Sequence, residues 1–128
     1  MKIGAFGIIL DKNKRVLLCH RRDYDKWNLP GGGVKNSESP WDGVRREVKE
    51  ETGLNVEIIR ISNIYFKPKE REIIFVFLCK VKDGKLKLND EADAIRYFDF
   101  KKIPQNTVRR HVERIRDALK GKFTMKIQ

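Results

Sequence analysis

Apolar residues fall along this chain in short runs parted by polar turns. Residues 3–10 and 15–20 are two such runs around Asp11-Lys12-Asn13-Lys14, a pattern that predicts a β-hairpin. Residues 21–28 are charged and aromatic and read as a loop fit to touch a ligand. Leu29-Pro30-Gly31-Gly32-Gly33 follows, and its composition predicts irregular backbone. A helix is expected from about Pro40 to Thr52, capped by Ser39 or Ser37, with Pro40 in its first turn and Gly53 closing it. Residues 55–66 and 72–82 predict two strands joined through Lys67-Pro68-Lys69-Glu70. Asp83-Gly84 predicts a turn, residues 94–100 a further strand, and Ile103-Pro104 the end of a short turn. Residues 107–120 predict a closing helix with Val108, Val112, Ile115 and Leu119 as its apolar stripe. With strands in pairs and only two helices, the class is α+β (mixed α/β) and not a Rossmann fold.

The 128 residues suffice for one domain, residues 1–128, with a core that needs no disulfides; no repeat or linker divides them. Cys19 and Cys79 sit in apolar runs and read as buried free thiols. No apolar run approaches the ~20 residues of a membrane span, so no membrane partner is expected. The apolar N-terminus returns to charge at Asp11-Lys12 without a small-residue cleavage site; it reads as a first strand, and the cytoplasm is the expected location. Lys and Arg exceed Asp and Glu by 29 to 18, a formal charge of +11. Such a surface attracts polyanions: nucleotides, nucleic acid or anionic lipid.

Against that positive background, the first helix gathers acids. Trp41, Val44 and Val48 recur at helical spacing and are expected to face the core. At about 100° per residue, Glu47, Glu50 and Glu51 fall within an arc of about 100° on an adjoining face. Like charges so placed repel. They are either a solvated face relieved by Arg45, Arg46 and Lys49, or a site for a hard divalent cation such as Mg²⁺ or Mn²⁺. The glycines at 31–33 would let backbone approach the same ions or phosphates.

The segment Gly32-x5-Glu38-x7-Arg46-Glu47-Val48-x-Glu50-Glu51-x-Gly53-Leu54 matches every specified position of the Nudix box, so the chain resembles the Nudix hydrolase family. Leu29-Pro30-Gly31-Gly32, Val16-Leu17-Leu18 with Arg21, and Ile95-Arg96-Tyr97-Phe98 extend the likeness over most of the chain; Gly43 departs mildly, the family often having Ala there. The resemblance implies an α/β/α sandwich with a mixed central sheet. It also implies Glu47, Glu50 and Glu51 as ligands of Mg²⁺ or Mn²⁺, with Glu50 as base instead, and the carbonyl of Gly31 or Gly32 completing the shell. Arg46 would orient a box carboxylate, and Glu38 would fix the preceding loop or act as a capping acid. Glu91, beside Asp90 and Asp93, is either a further catalytic carboxylate or part of a solvated acidic loop.

The implied reaction is hydrolysis of a nucleoside diphosphate linked to another group, by an activated water attacking phosphorus. Arg21 or Arg22 would hold the leaving charge, and Trp27 or Phe66, or else Tyr24 or Tyr65, would stack a base or simply pack. Pro68, about fifteen residues beyond the box glycine, resembles a feature of ADP-ribose pyrophosphatases, although a turn proline explains it equally. Substrates that clean the nucleotide pool (ordinary or oxidised nucleoside triphosphates) and diadenosine polyphosphates fit the chain length as well. His20 and His111 carry no motif and read as structural or surface residues. From another class, the basic C-terminal part (Lys101, Lys102, Arg109, Arg110, Arg114, Arg116, Lys120, Lys122, Lys126) would suit an RNA-binding module, or an enzyme acting on RNA 5′ ends, although its helical part reads as a solvated face. Small members of the family are commonly monomers or homodimers.

Overall fold

The computed structural model describes residues 1–128. Its strands are β1 (Lys2–Ile9), β2 (Val16–Arg21), β3 (Trp27–Asn28), β4 (Gly31–Gly33), β5 (Leu54–Lys67), β6 (Glu72–Gly84), β7 (Ala92–Phe98) and β8 (Thr124–Ile127). Two helices, α1 (Pro40–Thr52) and α2 (Arg109–Leu119), and a 3₁₀ turn at Phe100–Lys102 complete it. A five-stranded sheet has the order β4-β1-β6-β5-β8, in which β1–β6 and β5–β8 are parallel and the other pairs antiparallel. A three-stranded antiparallel sheet has the order β3-β2-β7.

Neighbouring side chains of a strand point to opposite faces, and β1 shows what this does. Ile9 and Ala5 join Val44 and Val48 of α1, whereas Ile8 joins Ile115 and Ala118 of α2. The helices therefore cover opposite faces of the mixed sheet, the α/β/α sandwich expected. Val44 and Val48 are fully buried, each contributing about 1.5–3 kcal/mol. No helix is long and apolar enough to cross a membrane. Cys19 and Cys79 are buried free thiols, and burial pushes both up to about 12.

Several local expectations are corrected. β1 and β2 form no hairpin: both edges of β1 are taken by β4 and β6, and β2 enters the second sheet, leaving one bridge, Leu10–Val16. The Asp11 carboxylate accepts the N–H groups of Asn13 and Arg15 and turns the chain between them. The glycines at 31–33 are not irregular; they form β4, paired antiparallel with Gly4–Phe6. Only glycine fits there, since Gly31 has φ 151° and a Cβ would meet Ala5 and Phe6. Part of the 21–28 loop is the short strand β3.

Trp41 is 53% exposed and not in the core. It shares the angular face of Val44 and Val48, but it lies in the first helical turn, where Pro40–Asp42 contains no buried residue. The late strand is shifted to Ala92–Phe98. On α2 the stripe is rotated: Leu119 is exposed, while His111, Arg114, Ile115, Asp117 and Ala118 are buried. Arg114 therefore does not lie on the solvated face that its basic neighbours suggest. Asp117 accepts from Tyr65 Oη at 2.7 Å and Lys126 Nζ at 2.9 Å, the latter from β8, a strand not expected from the sequence.

Candidate active site

Helix geometry sorts the glutamates. Relative to Val44, Glu51 stands about 20° away around α1, Glu47 about 60° and Glu50 about 120°. Glu51 thus turns into the protein toward β4, Glu47 lies at the boundary, and Glu50 is exposed. Ser39 caps the helix, its Oγ accepting Asp42 N–H at 3.1 Å, and Gly53 ends it at φ 84°.

Glu51 Oε2 accepts the Gly31 N–H at 2.7 Å and has no ion-pair partner. Burial pushes its carboxyl up to about 8; the Gly31 bond opposes this, and the charges of Glu47, Glu91 and Glu50 add to it. Glu47 is raised chiefly by burial, against the Arg46 guanidinium beside it. A Cβ on Gly32 would lie 3.0 Å from the Glu47 carboxyl, so a glycine there leaves that carboxylate its space.

Arg46 is the hub. Its Nη1 reaches Glu47 at 3.0 Å and Glu50 at 3.3 Å, and its Nη2 reaches Glu38 at 2.7 Å and the Gly33 carbonyl at 3.1 Å. Glu38 also accepts the Lys35 N–H, and Arg46 holds its carboxyl down at about 2. Glu38 therefore ties the β4–α1 loop to Arg46 instead of capping the helix.

Glu91 lines a small cavity with Glu51, Cys19, His20, Arg21, Asn28 and Ala92, so the fourth acid is brought to the cluster from outside the helix. Asn89 anchors its loop: its side chain donates to the Glu51 carbonyl and accepts the N–H groups of Glu91 and Ala92. Arg22 adds a backbone N–H to the Glu91 carbonyl and a guanidinium bond to the Asn89 carbonyl. Arg21 and Arg22 line a second pocket with Asp23, Asp90 and Glu91, which shares Arg21 and Glu91 with the first, and Arg21 is paired to Asp23.

Of the expected substrate contacts, Trp27 neighbours the cavity-lining His20 and Asn28, and Phe66 stands elsewhere. Trp27 is packed edge-on against His20 and Phe98 at centroid distances of 5.2 and 5.0 Å. Phe66 is on β5, three strands from β4, or about 14 Å at usual strand spacing. It is not joined to the acids. Tyr65 is buried against Asp117, and Pro68 occupies the β5–β6 turn.

Sequence reasoning missed the Gly31 amide, having assigned its carbonyl, and it missed Asn89, which no motif marks. It also missed His20, whose Nδ1 and Nε2 each lie 2.7 Å from a carboxylate, of Asp93 and Asp25.

No three acidic, His or Cys side chains converge here as a closed ligand set. Glu47 and Glu50 both turn to Arg46, while Glu51 is held by Gly31. The donors nonetheless suit a hard divalent cation: they are oxygens only, and they include a largely buried carboxylate with no counter-charge.

The NUDIX domain family model matches residues 1–119. A MutT-like protein of Streptomyces ambofaciens is 30% identical over 93% of this chain and 77% of its own length. A Bacillus subtilis protein named for 8-oxo-dGTP diphosphatase is 29% identical over 92% of this chain and 80% of its own. The crystal structure of an ADP-ribose pyrophosphatase from Streptococcus suis superposes with a TM-score of 0.80 at 27% identity, covering 99% of this chain and 98% of that one. A family match spanning nearly the whole chain, on the fold and with the acidic helix just described, shows that this protein belongs to the Nudix hydrolases and is a pyrophosphohydrolase.

Proposed function

We propose that the protein hydrolyses a nucleoside diphosphate linked to a second group, with ADP-ribose or a related nucleotide sugar as the substrate class. The observation that carries the site is Glu51: a largely buried carboxylate without a counter-ion, gathered with Glu47, Glu50 and Glu91 beside the β4 backbone. Glu51 and Glu47, with Glu50 and Glu91 at hand, would hold a Mg²⁺ or Mn²⁺ ion. When bound, that cation neutralises diphosphate charge and acidifies a water.

The chain's own residues do the rest. Arg46 fixes Glu47 and Glu50 in orientation, and Gly31 fixes Glu51. Glu50, exposed at the edge of the cluster, is the carboxylate that would accept a proton from water. Arg22 or Arg21, in the adjoining pocket, would meet the charge of the leaving phosphate.

The full-length likeness to the Streptococcus suis enzyme favours a nucleotide sugar. The likeness to the Bacillus subtilis protein favours the second reading, a nucleoside triphosphate, including oxidised forms. One panel with Mg²⁺ or Mn²⁺ decides: ADP-ribose, UDP-sugars, 8-oxo-dGTP, dGTP, diadenosine polyphosphates and 5′-triphosphate RNA. ADP-ribose or a nucleotide sugar is expected to give the highest kcat/KM, and turnover is expected to vanish in EDTA. A triphosphate preference overturns the substrate class, and no cleavage of any member overturns the site.

A further inference from the structure

The segment Trp27–Gly31 carries the backbone N–H that holds Glu51, and α2 with the residues before it fastens that segment. Trp27 N–H donates to the Asn106 carbonyl at 3.3 Å, and Val108 N–H donates to the Trp27 carbonyl at 2.9 Å. These are backbone bonds that most residue types would allow. The third depends on one side chain: Leu29 N–H donates to His111 Nδ1 at 2.9 Å. Leu29 is 1% exposed and His111 8%, so little water can replace the bond if it is lost.

Nδ1 accepts only while the imidazole is neutral, with its proton on Nε2. Burial keeps it neutral, and so does the Arg114 cation one turn along α2. Arg114 is itself unusual. It is 2% exposed, its Nη1 has no partner, and its guanidinium carbon lies 4.9 Å from the Phe6 ring centre. Phe6 in turn packs edge-on against His111 at 5.0 Å and is the register partner of Gly31 on β4. His111, Arg114 and Phe6 thus bear on the stretch of backbone that ends at the Glu51 hydrogen bond.

We infer that His111 is a positioning residue for the acid site: by accepting the Leu29 N–H it sets the Gly31 amide, and through that amide the orientation of Glu51. Leu29 and Gly31 are two residues apart, about 7 Å of stiff chain that includes Pro30. A displacement at one therefore reaches the other. This inference rests on the reading of Glu51 given above.

The test compares His111→Leu, which removes the acceptor, with His111→Asn, whose Oδ1 can stand near the Nδ1 position. Each is checked for folding by thermal melting. Two quantities are read: kcat and KM with Mg²⁺ on the best substrate of the panel, and the Gly31 amide resonance and exchange rate in metal-free protein. His111→Leu is expected to lower kcat about 10–100-fold with KM little changed, in the range for residues that orient ligands. It should also shift the Gly31 amide and speed its exchange. His111→Asn should restore both.

Wild-type kcat in folded His111→Leu overturns the inference, whatever the amide does, and so does an Asn variant as impaired as Leu. If Leu does not fold, His111→Gln, with its carboxamide one carbon farther out, takes its place: a low kcat for Gln beside a near-normal one for Asn supports the inference, and equal values overturn it. Glu51→Gln is run alongside. If it stays active, the underlying reading fails; if it is dead while His111→Leu is normal, only the present inference fails.

Discussion

Glu51 and Glu50 are neighbours in sequence, yet about 100° of helix rotation separates a largely buried carboxylate from an exposed one. That rotation sets the first prediction. Glu51→Gln removes a metal donor that the Gly31 amide holds in place, so turnover should fall by at least about 10²-fold. Without metal its thermal midpoint should match or exceed the parent's, because burial disfavours the charged form of the carboxyl that is removed. An unchanged kcat would falsify the assignment. Glu38 gives a prediction of opposite character. Arg46 depresses its folded value to about 2 from an ordinary value of 4.5. Its stabilising effect is therefore complete above about pH 4.5 and is lost as pH falls toward 2. Melting curves across that window should drop more steeply for the parent than for Glu38→Gln, the two converging near pH 2.

At the scale of elements, β4 matters more than its three residues suggest. It places Gly31 N–H on Glu51 and Gly32 against Glu47, and it can lie there because glycine has no Cβ. Gly31→Ala should cost at least about 2 kcal/mol by denaturant unfolding, from φ 151° and from contact with the Ala5 and Phe6 backbone. Gly33→Ala, where nothing stands within 4 Å, serves as the tolerant control. A similar loss at both positions would mean that local flexibility, not close packing, governs this strand. A glycine run reads as a breaker from sequence because a strand of glycines has no intrinsic preference to reveal it. Only its neighbour β1, pairing through Gly4, Ala5 and Phe6, makes it a strand.

At the scale of the molecule, a net charge of +11 surrounds a local cluster of acids. Long-range attraction should draw an anionic substrate, and salt should screen it beyond about 10 Å. Raising NaCl from 50 to 500 mM should therefore lift KM several-fold while kcat holds. Equal loss of both would place the salt effect in the chemical step. Some of the basic excess is already committed. Arg110 pairs with Glu70, Lys126 with Asp117, and Arg114 is buried, so the C-terminal positive charges are partly structural.

The sequence by itself determined the acidic helix, its caps, its family and the two-helix mixed class, because these rest on local spacing: a 3.6-residue period, a capping serine, a closing glycine. It also marked Arg46 and Glu38, which lie eight positions apart in the same segment. Tertiary structure alone decided the rest. Strand pairing joins residues remote in sequence, so it placed β1 beside β4 and β6 and sent β2 to another sheet. It brought Glu91 to Glu51, moved Phe66 about 14 Å away across three strands, and buried Arg114 and Asp117 under the final strand. The hydrogen bond from Leu29 to His111 spans 82 positions. No local pattern encodes such a contact, because it exists only where tertiary packing brings a backbone amide beside a side chain remote in sequence.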